Sequence, residues 1–325
     1  FLPPLPQGSP RNRRGLADWL LSADQPLFAR VTVNRMWQEV FGEGLVGSAG
    51  DFGVMGARPS HPELLDWLAV EFRESGWNTK QLYRLLVTSA TYRQTARIKP
   101  EQLAKDPANR LLARAPRFRM DGEVLRDTAL AASGLLVERL GGPPVKPYQP
   151  MGVWEEVAMP EANTKTYEPG SGGELYRRSL YTFWKRASPP PSMETFDAPS
   201  REVVCVERPR SNTPLQAFVT MNDPQWVEAS RKLAERALAS SASAEGRLSY
   251  LAVTTLGRAL STREQGVLRQ SHARFASHFQ ADLNAAILLL GVGSSEVDAR
   301  FDTAELAAWT MVASQFFNLD EFVTK

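Results

Sequence analysis

The sequence predicts a mainly α protein, and three observations lead to this fold class. Apolar residues recur at helical spacing through most of the 325 residues. Proline, serine, threonine, asparagine and aspartate stand repeatedly just before these periodic segments, where they favour helix starts. Only two short runs are rich enough in β-branched and aromatic residues to predict strands. We therefore expect a multi-helix domain with a central irregular insertion and a few short β-strands.

The N-terminal part is predicted to begin with a linker and to continue as a series of helices. Residues 1–13 contain four prolines, which favour extended structure, so we interpret them as a linker from a preceding domain. Ser60 and Glu63 fit a capping box, with Pro62 in the first turn of the helix that follows. The helices are predicted from Arg14, over 26–41, over 62–76, over 79–96, as a short turn over 109–113, and over 120–140.

The middle of the chain differs in composition from the helical parts. Residues 143–173 are rich in proline, glycine and polar residues, which predicts a long irregular excursion. The runs SLYTFW at 179–184 and EVVCVE at 202–207 predict the two strands, separated by three prolines at 189–191. Helices then resume at Pro214 and Pro224 and are predicted over 247–256, 262–279, 282–290 and 303–317.

These elements predict one large helical domain over residues 14–325. Its parts are a helical half over 14–142, a central insertion over 143–211 and a second helical half over 212–325. Long irregular segments inside compact domains are often functional. We therefore expect a functional site, where one exists, to line the central insertion.

Composition excludes several classes of protein. The 38 lysines and arginines nearly balance the 36 acidic residues, and no basic helix stands out, so no nucleic-acid partner is predicted. No apolar run approaches the roughly 20 residues that a membrane helix needs, so no membrane span is predicted. The single cysteine, Cys205, excludes an internal disulfide and a cysteine zinc site. Because Cys205 lies in an apolar run, we expect it to be buried and inert.

Histidines and carboxylates offer no metal site. His272 and His278 are six residues apart, which does not place them on one helix face, and no metal or cofactor is predicted in this chain. His61, Glu63 and Asp66 gather at a predicted helix start and form a candidate site. The alternative is that His61 orients the loop or closes the helix cap. No catalytic residue is assigned, because a two-carboxylate arrangement across a cleft cannot be recognised in a sequence.

Arginines and aromatic residues concentrate in the central insertion. Guanidinium groups beside aromatic rings suit a sulfated or carboxylated sugar, because charge-assisted bidentate bonds and stacking recognise such ligands. The alternative is structural, with the arginines attaching an irregular segment to the helices through Asp66, Glu123, Asp197 and Glu202. The candidate ligand-binding residues are Arg177, Arg178, Tyr181, Trp184, Asp197, Arg201, Arg208, Arg210 and Asn212.

An ordered set of motifs links the chain to a known family. These motifs include NRMWQEVFGEGLV, SHPELLDWLAVEFRESGW, LLVTSATYRQ, GGPPVKPYQP, RRSLYTFWKRASPPPSMETFDAPSRE and NTPLQAFVTMNDPQWVEA. From Arg14 to Lys325 the chain resembles the C-terminal, cytochrome-associated domain family of Planctomycetes and Verrucomicrobia, domain-of-unknown-function family fifteen-fifty-three. The resemblance implies an exported, periplasmic or cell-surface protein. It also implies upstream domains of the same polypeptide as partners, namely a c-type cytochrome domain, which would carry haem, and another uncharacterised domain.

Three functional hypotheses follow from the residues and the resemblance together. The first is a non-catalytic binding or scaffold module of an exported cytochrome-associated protein, linked to polysaccharide degradation and with anionic polysaccharide as a candidate partner. The second is a hydrolase of sulfated or acidic glycans. The third is a docking domain for electron transfer with no haem of its own.

Overall fold

The computed structural model describes residues 2–325 and confirms the mainly α fold class. Within this range there are fourteen α-helices, and the only β pairing consists of isolated bridges. The chain divides into two compact units, of which the first ends at Phe118 and the second spans Arg119–Lys325. The predicted arrangement of two helical halves around an insertion stays a prediction.

The first unit is organised around two packed helices. Its helices are α1 (Arg13–Leu20), α2 (Phe28–Phe41), α3 (Pro62–Glu74), α4 (Thr79–Thr88) and α5 (Pro100–Lys105). The buried face of α2 carries Trp37 and Phe41, whose rings stack with centroids 4.0 Å apart. Leu65, Leu68 and Phe72 of α3 belong to the same core. Each of these side chains contributes roughly 1.5–3 kcal/mol when fully buried.

The second unit has a larger core built on two long helices. Its helices are α6 (Gly122–Ser133), α7 (Pro191–Glu194), α8 (Pro214–Asn222), α9 (Pro224–Ser240), α10 (Ala244–Leu256), α11 (Thr262–Ala281), α12 (Leu283–Leu290), α13 (Thr303–Phe317) and α14 (Asp320–Val323). Short 3-10 helices span Glu155–Val157, Gly172–Tyr176 and Ser179–Tyr181. Small residues on α9, such as Ala229 and Ala234, are fully buried beside Trp309 and Phe316 of α13. These small side chains let the two helices approach closely.

Local signals identified most helix starts correctly. Asp223 caps α9, with its side chain accepting from the backbone N–H of Gln225, and Pro224 occupies the first turn as predicted. Asn78 and Asp302 cap α4 and α13 in the same way. The predicted range of α13 is confirmed without change.

Three local predictions were wrong. The helix predicted over 79–96 ends at Thr88. The capping box of Ser60 and Glu63 does not form: the residue before α3 is His61, and the Ser60 hydroxyl donates to the carbonyl of Leu45 instead. The helix predicted over 120–140 ends at Ser133, because Gly134 adopts a left-handed conformation with φ of 80°. The N–H groups of Leu135 and Leu136 then close the helix on the carbonyl of Leu130.

The two predicted strands were also wrong. Ser179–Tyr181, at the start of SLYTFW, is a 3-10 helix, and Thr182 makes only an isolated parallel bridge with Val145. The run at 202–207 is an exposed loop in which Val204 retains 91% of its exposure. A strand needs a neighbour to satisfy its backbone groups, and the described residues provide none for this run.

The prediction for Cys205 fails for the same reason. Because the loop that carries it packs against no apolar surface, the thiol is exposed rather than buried. Its only described hydrogen bond runs from Sγ to the carbonyl of Glu207, at 3.1 Å.

Candidate functional site

A narrow cleft lies in the second unit, where three helices meet the irregular segment. Its cavity volume is about 20 Å³, enough for a water molecule or one small polar group, and we call it the Arg126 cleft. Gly122 and Arg126 come from α6, and Asp223, Gln225 and Trp226 come from the start of α9. The remaining lining residues are Pro147, Tyr148, Gln149, Tyr167, Thr182, Pro190, Ser192, Met193 and Phe196.

Arg126 is a buried cation whose hydrogen atoms are all committed to the protein. Its guanidinium donates to the carbonyls of Leu175, at 2.7 Å, and Arg177, at 2.9 Å, and to the hydroxyl of Ser179. It also donates from Nε and Nη2 to Oε1 of Gln225, at 3.2 and 2.8 Å. Burial lowers the pKa of Arg126 to about 10, partly opposed by the nearby carboxylate of Asp127. The group therefore stays charged at neutral pH, where the carboxylates of Asp127, 3.8 Å away, and Asp223 oppose its charge.

Gln225 presents an amide group whose orientation the arginine determines. Because Oε1 accepts both bonds from Arg126, the amide cannot be turned the other way without placing donors against donors. Its Nε2 group is buried and has no hydrogen-bond partner in the described structure. Gln225 as a whole is 6% exposed.

Two further residues of the cleft wall also carry a buried polar atom without a hydrogen-bond partner among the described residues. Nε2 of Gln149 and Oγ1 of Thr182 are buried and have no partner among the described residues. A buried polar group left without a partner costs roughly 1–3 kcal/mol. Three such atoms on residues lining one cleft can be satisfied by one small bound group or by an ordered water molecule. All three groups can donate a hydrogen bond, so a ligand rich in acceptor atoms fits them.

The carboxyl group of Asp223 also lines the cleft, and its pKa is raised above the usual value. Burial raises its pKa to about 6, against the opposing effects of the N–H groups of Gln225 and Trp226 and of the charge on Arg126. Its charge therefore changes between pH 5 and pH 7. Below that range Arg126 dominates the field in the cleft, and above it the two charges partly cancel.

Aromatic side chains form much of the remaining wall. Tyr167 donates to the carbonyl of Pro147, and burial raises the pKa of its phenol above the usual range. The hydroxyl oxygen of Tyr148 accepts from the N–H of Ser294 at 2.7 Å. Trp226 and Phe196 are buried at 4% and 5% exposure. These buried rings make the inner wall of the cleft apolar and rigid.

None of the nine predicted ligand-binding residues lines this cleft. Arg177 donates to the carbonyls of Arg139, Gly141 and Pro143, and its guanidinium lies 3.8 Å from the ring centre of Tyr181. Arg177 thus closes the irregular segment on itself. Its carbonyl also accepts from Arg126, so Arg177 supports the cleft indirectly.

The other predicted residues are distributed around the second unit. Arg208 forms a bidentate pair with Glu123 at 2.7 and 3.3 Å. The remaining contacts are Arg178 with Asp127, Arg201 over the ring of Trp184, Asp197 with Ser211, and Asn212 with Arg119. Arg210 does not line the cleft. A ligand-binding role for the set stays a prediction.

The candidate site at the start of α3 lies in the first unit. Nδ1 of His61 is 3.0 Å from the hydroxyl of Ser60, and Asp66 accepts from Nε of Arg30 at 2.6 Å. Glu63 occupies the first turn of the helix. Binding by His61, Glu63 and Asp66 stays a prediction.

The residues of the Arg126 cleft were missed in the sequence, although one signal was present. Leu125, Ala129 and Leu130 form the buried stripe of α6, and Arg126 stands on that stripe at helical spacing. A charged residue inside an apolar stripe indicates either a buried network or a site. Asp223 was recognised only as a helix cap.

Residues 2–325 contain neither a metal-binding cluster of side chains nor a helix that could span a membrane. No group of three or more histidine, cysteine, aspartate or glutamate residues is arranged to hold a metal ion. No helix in this range combines the length and the apolar character needed to cross a membrane.

Comparison with known families gives one match. A family model described as PSD1, protein of unknown function (DUF1553), matches residues 12–272. This confirms the resemblance to domain-of-unknown-function family fifteen-fifty-three, although the match ends before Lys325. Searches of curated proteins and of solved structures found no match. Every lining residue of the Arg126 cleft lies inside the matched range.

Proposed function

The chain belongs to the PSD1 family (DUF1553), and from this premise we propose that it is a non-catalytic binding module whose Arg126 cleft takes the carboxylate or sulfate group of an anionic polysaccharide, with the sugar ring outside the cleft. The proposal extends to the setting that the resemblance implies. The module would belong to an exported polypeptide whose upstream domains include a c-type cytochrome domain, and the haem would reside there.

One observation carries this proposal. Three residues that line the cleft, Gln149, Thr182 and Gln225, each have a buried donor atom with no partner among the described residues. Elsewhere in proteins most buried polar groups are hydrogen-bonded. A carboxylate, a sulfate or a row of sugar hydroxyls supplies acceptor oxygens to several donors at once, so these groups match the site.

The charges favour an anion over a neutral ligand. Arg126 retains its charge although its hydrogen atoms are used by the protein, so it contributes a fixed positive field. When Asp223 is protonated, no acidic group among the described lining residues opposes this field.

Asp223 favours a second candidate function, the hydrolysis of an acidic glycan. A carboxyl group with a pKa of about 6 suits a general acid. Glycosidases of the common type need a second carboxylate across the cleft, and Asp223 is the only acidic residue among the described residues that line it. For this reason binding is the better-supported function.

The experiment is a titration of the full chain with three matched sugars. Galacturonate, galactose 6-sulfate and galactose are added at pH 5.5, and binding is followed by calorimetry and by amide chemical shifts. We expect at least one of the two anionic sugars to bind with a Kd in the micromolar to millimolar range and at least tenfold more tightly than galactose. Galactose binding that is as tight as that of the anions and is weakened by a substitution in the Arg126 cleft, or no binding of either anion, would overturn the proposal.

Two variants test whether the sugar binds at the Arg126 cleft. Gln149→Leu removes a donor without disturbing a described hydrogen bond and should weaken binding about tenfold. Gln270→Leu, on the exposed face of α11, is the matched control and should bind as the wild type does.

Turnover distinguishes the second candidate function. Reducing-end release from polygalacturonate and from a sulfated galactan is measured in the same samples. Release that is lost in Asp223→Asn would replace the binding function with hydrolysis. Tight association with the separately produced upstream domains, without any sugar binding, would instead favour the docking function.

A further inference from the structure

A second cavity in the same unit lies beneath α8. Its cavity volume is about 230 Å³, and we call it the α8 cavity. One stripe of α8 supplies Gln216, Ala217 and Thr220, with Thr213 just before the helix. The other lining residues are Arg119, Phe196, Asn212, Asn318, Asp320 and Val323. Phe196 is shared with the Arg126 cleft, but none of the polar residues is.

The helix α8, above this cavity, exposes apolar side chains and buries polar ones. A surface helix normally buries its apolar stripe and exposes its polar face. Here Leu215 and Phe218 are 63% and 58% exposed, whereas Gln216 and Thr220 are 3% and 1% exposed. Val219 of α8 packs against the core of the second unit, and the polar stripe beside it lines the cavity.

Gln216 brings a buried acceptor to the cavity wall. Its Nε2 donates to the carbonyls of Thr195 and Ser211, at 3.1 and 3.3 Å, and to the Ser211 hydroxyl. These bonds determine the orientation of the amide, since the reversed group would place oxygen against two carbonyls. Oε1 is then buried without a partner in the described structure. Asp197 holds Ser211 in place by accepting from its N–H at 2.7 Å.

Donors lie in the same wall. Oδ1 of Asn318 accepts from the hydroxyl of Thr220 at 2.9 Å, which leaves the Asn318 amide N–H groups without a described partner. Arg119 contributes a cation that contacts Asp320 at 3.7 Å, so the charges in this wall are paired. The cavity thus combines an unpartnered acceptor with available donors and carries little net charge.

We propose that the α8 cavity is a binding site for a neutral polyhydroxylated ring, either a cyclitol or a sugar. A hydroxyl group donates one hydrogen bond and accepts others, so it satisfies Gln216 Oε1 and the Asn318 amide together. Val323 and Phe196 supply apolar surface for the ring carbons. The site uses polar residues other than those of the Arg126 cleft and does not depend on the function proposed there.

The test uses the isotope-labelled full chain and three small probes. Myo-inositol and methyl α-glucoside carry donors and acceptors, whereas 1,4-dioxane is a ring with acceptors only. The side-chain amide resonance of Gln216 reports on occupancy. We expect saturable shifts with at least one polyol at millimolar concentration and at least tenfold weaker binding of dioxane. Binding of inositol alone indicates a cyclitol, and binding of the glucoside indicates a sugar.

Two variants tie the binding to the cavity. Ala217→Leu fills the cavity from the helix without removing a described side-chain hydrogen bond and should weaken polyol binding at least tenfold. Ala273→Leu, on the exposed side of α11, is the matched control and should leave it unchanged. Asn318→Ala removes a donor without adding volume and gives a second measurement should the larger side chain prevent folding. The proposal is overturned if neither polyol binds, if dioxane binds equally well, or if the folded cavity variants bind as the wild type does.

Discussion

Nη2 of Arg126 lies 2.8 Å from Oε1 of Gln225, and this bond joins α6 to the first turn of α9. It determines two properties of the cleft at once. It holds a charged guanidinium inside the second unit, and it leaves the other end of the Gln225 amide without a partner. The hydrogen bond therefore stabilises the fold, and the unpartnered Nε2 group of Gln225 remains available to a ligand.

The packing of Gly293 against Glu228 gives the first prediction. A Cβ atom at position 293 would lie 2.3 Å from Cδ of Glu228, and the glycine has a φ of +91°. Glu228 is fully buried and accepts from the Tyr176 hydroxyl and the N–H of Ser295, so it cannot move cheaply. Gly293→Ala should lower the free energy of unfolding by about 3 kcal/mol in denaturant titration.

Gly266→Ala is the matched control for this prediction. Gly266 lies inside α11, has no unusual φ, and a Cβ atom there would meet nothing within 4 Å. Alanine favours the helix, so this variant should gain about 0.5–1 kcal/mol. Similar effects of the two substitutions would contradict the described packing of Glu228.

Two adjacent arginines provide the second prediction. Arg177 is 1% exposed and donates to three carbonyls, whereas the side chain of Arg178 is 52% exposed and pairs with Asp127 at 3.6 Å. Arg177→Met leaves those carbonyls unsatisfied and should cost about 3 kcal/mol of unfolding free energy. Arg178→Met should cost less than about 0.5 kcal/mol. Equal losses in thermal or chemical unfolding would show that the two arginines have similar roles.

The third prediction concerns the pH dependence of stability. Burial raises the pKa of Asp223 from 3.8 to about 6, so the folded chain binds this proton more tightly than the unfolded chain does. Stability from this group is therefore present at low pH and is lost as the pH rises from about 4 to about 6. Asp223→Asn keeps a good helix cap but does not titrate. The difference in unfolding free energy, wild type minus variant, should fall by about 1–2 kcal/mol over that range.

The same substitution tests the electrostatics of ligand binding. As the pH falls through about 6, the negative charge of Asp223 disappears while that of a sulfated sugar remains. Wild-type affinity for galactose 6-sulfate should then rise about three- to tenfold between pH 7.5 and pH 5. Asp223→Asn should bind tightly at both values. An equally steep pH dependence in the variant would place the titrating group elsewhere.

The helices could be predicted because their signals are local. Proline in the first turn and a capping side chain just before it lie within a few residues of each other, as at Asp223 and Pro224. The strands failed because the same local reasoning cannot supply a partner strand. EVVCVE has strand composition, but no described neighbour pairs with it, and Cys205 is exposed as a result.

The cleft could not be predicted because its contacts join distant parts of the chain. Gln225 lies 99 residues after Arg126, and Leu175 and Arg177 come from the irregular segment between them. Four residues of the cleft wall lie within residues 143–211, where a site was expected, and that expectation stays a prediction; they are Tyr148, Gln149, Tyr167 and Thr182. The expectation did not identify Arg126, which lies on α6.

Thr220→Val is the reference variant for the final measurement, which uses Thr182→Val. Thr220 is 1% exposed and Thr182 is 7% exposed, but the hydroxyl of Thr220 lies within hydrogen-bond distance of the carbonyl of Ala217 and of Oδ1 of Asn318. Replacing it removes made hydrogen bonds and should destabilise the chain by about 1–2 kcal/mol, with or without an anionic sugar.

The central claim is tested most directly by the thermal midpoints of wild type and Thr182→Val, each with and without saturating galacturonate at pH 5.5. Without ligand, the variant should be the more stable protein by about 2–4 °C, because it loses a buried hydroxyl that has no partner. With ligand, the wild type should gain more than the variant, because the hydroxyl then donates to the bound sugar. A variant that is less stable than wild type without ligand, or an equal gain in both proteins, would contradict the account.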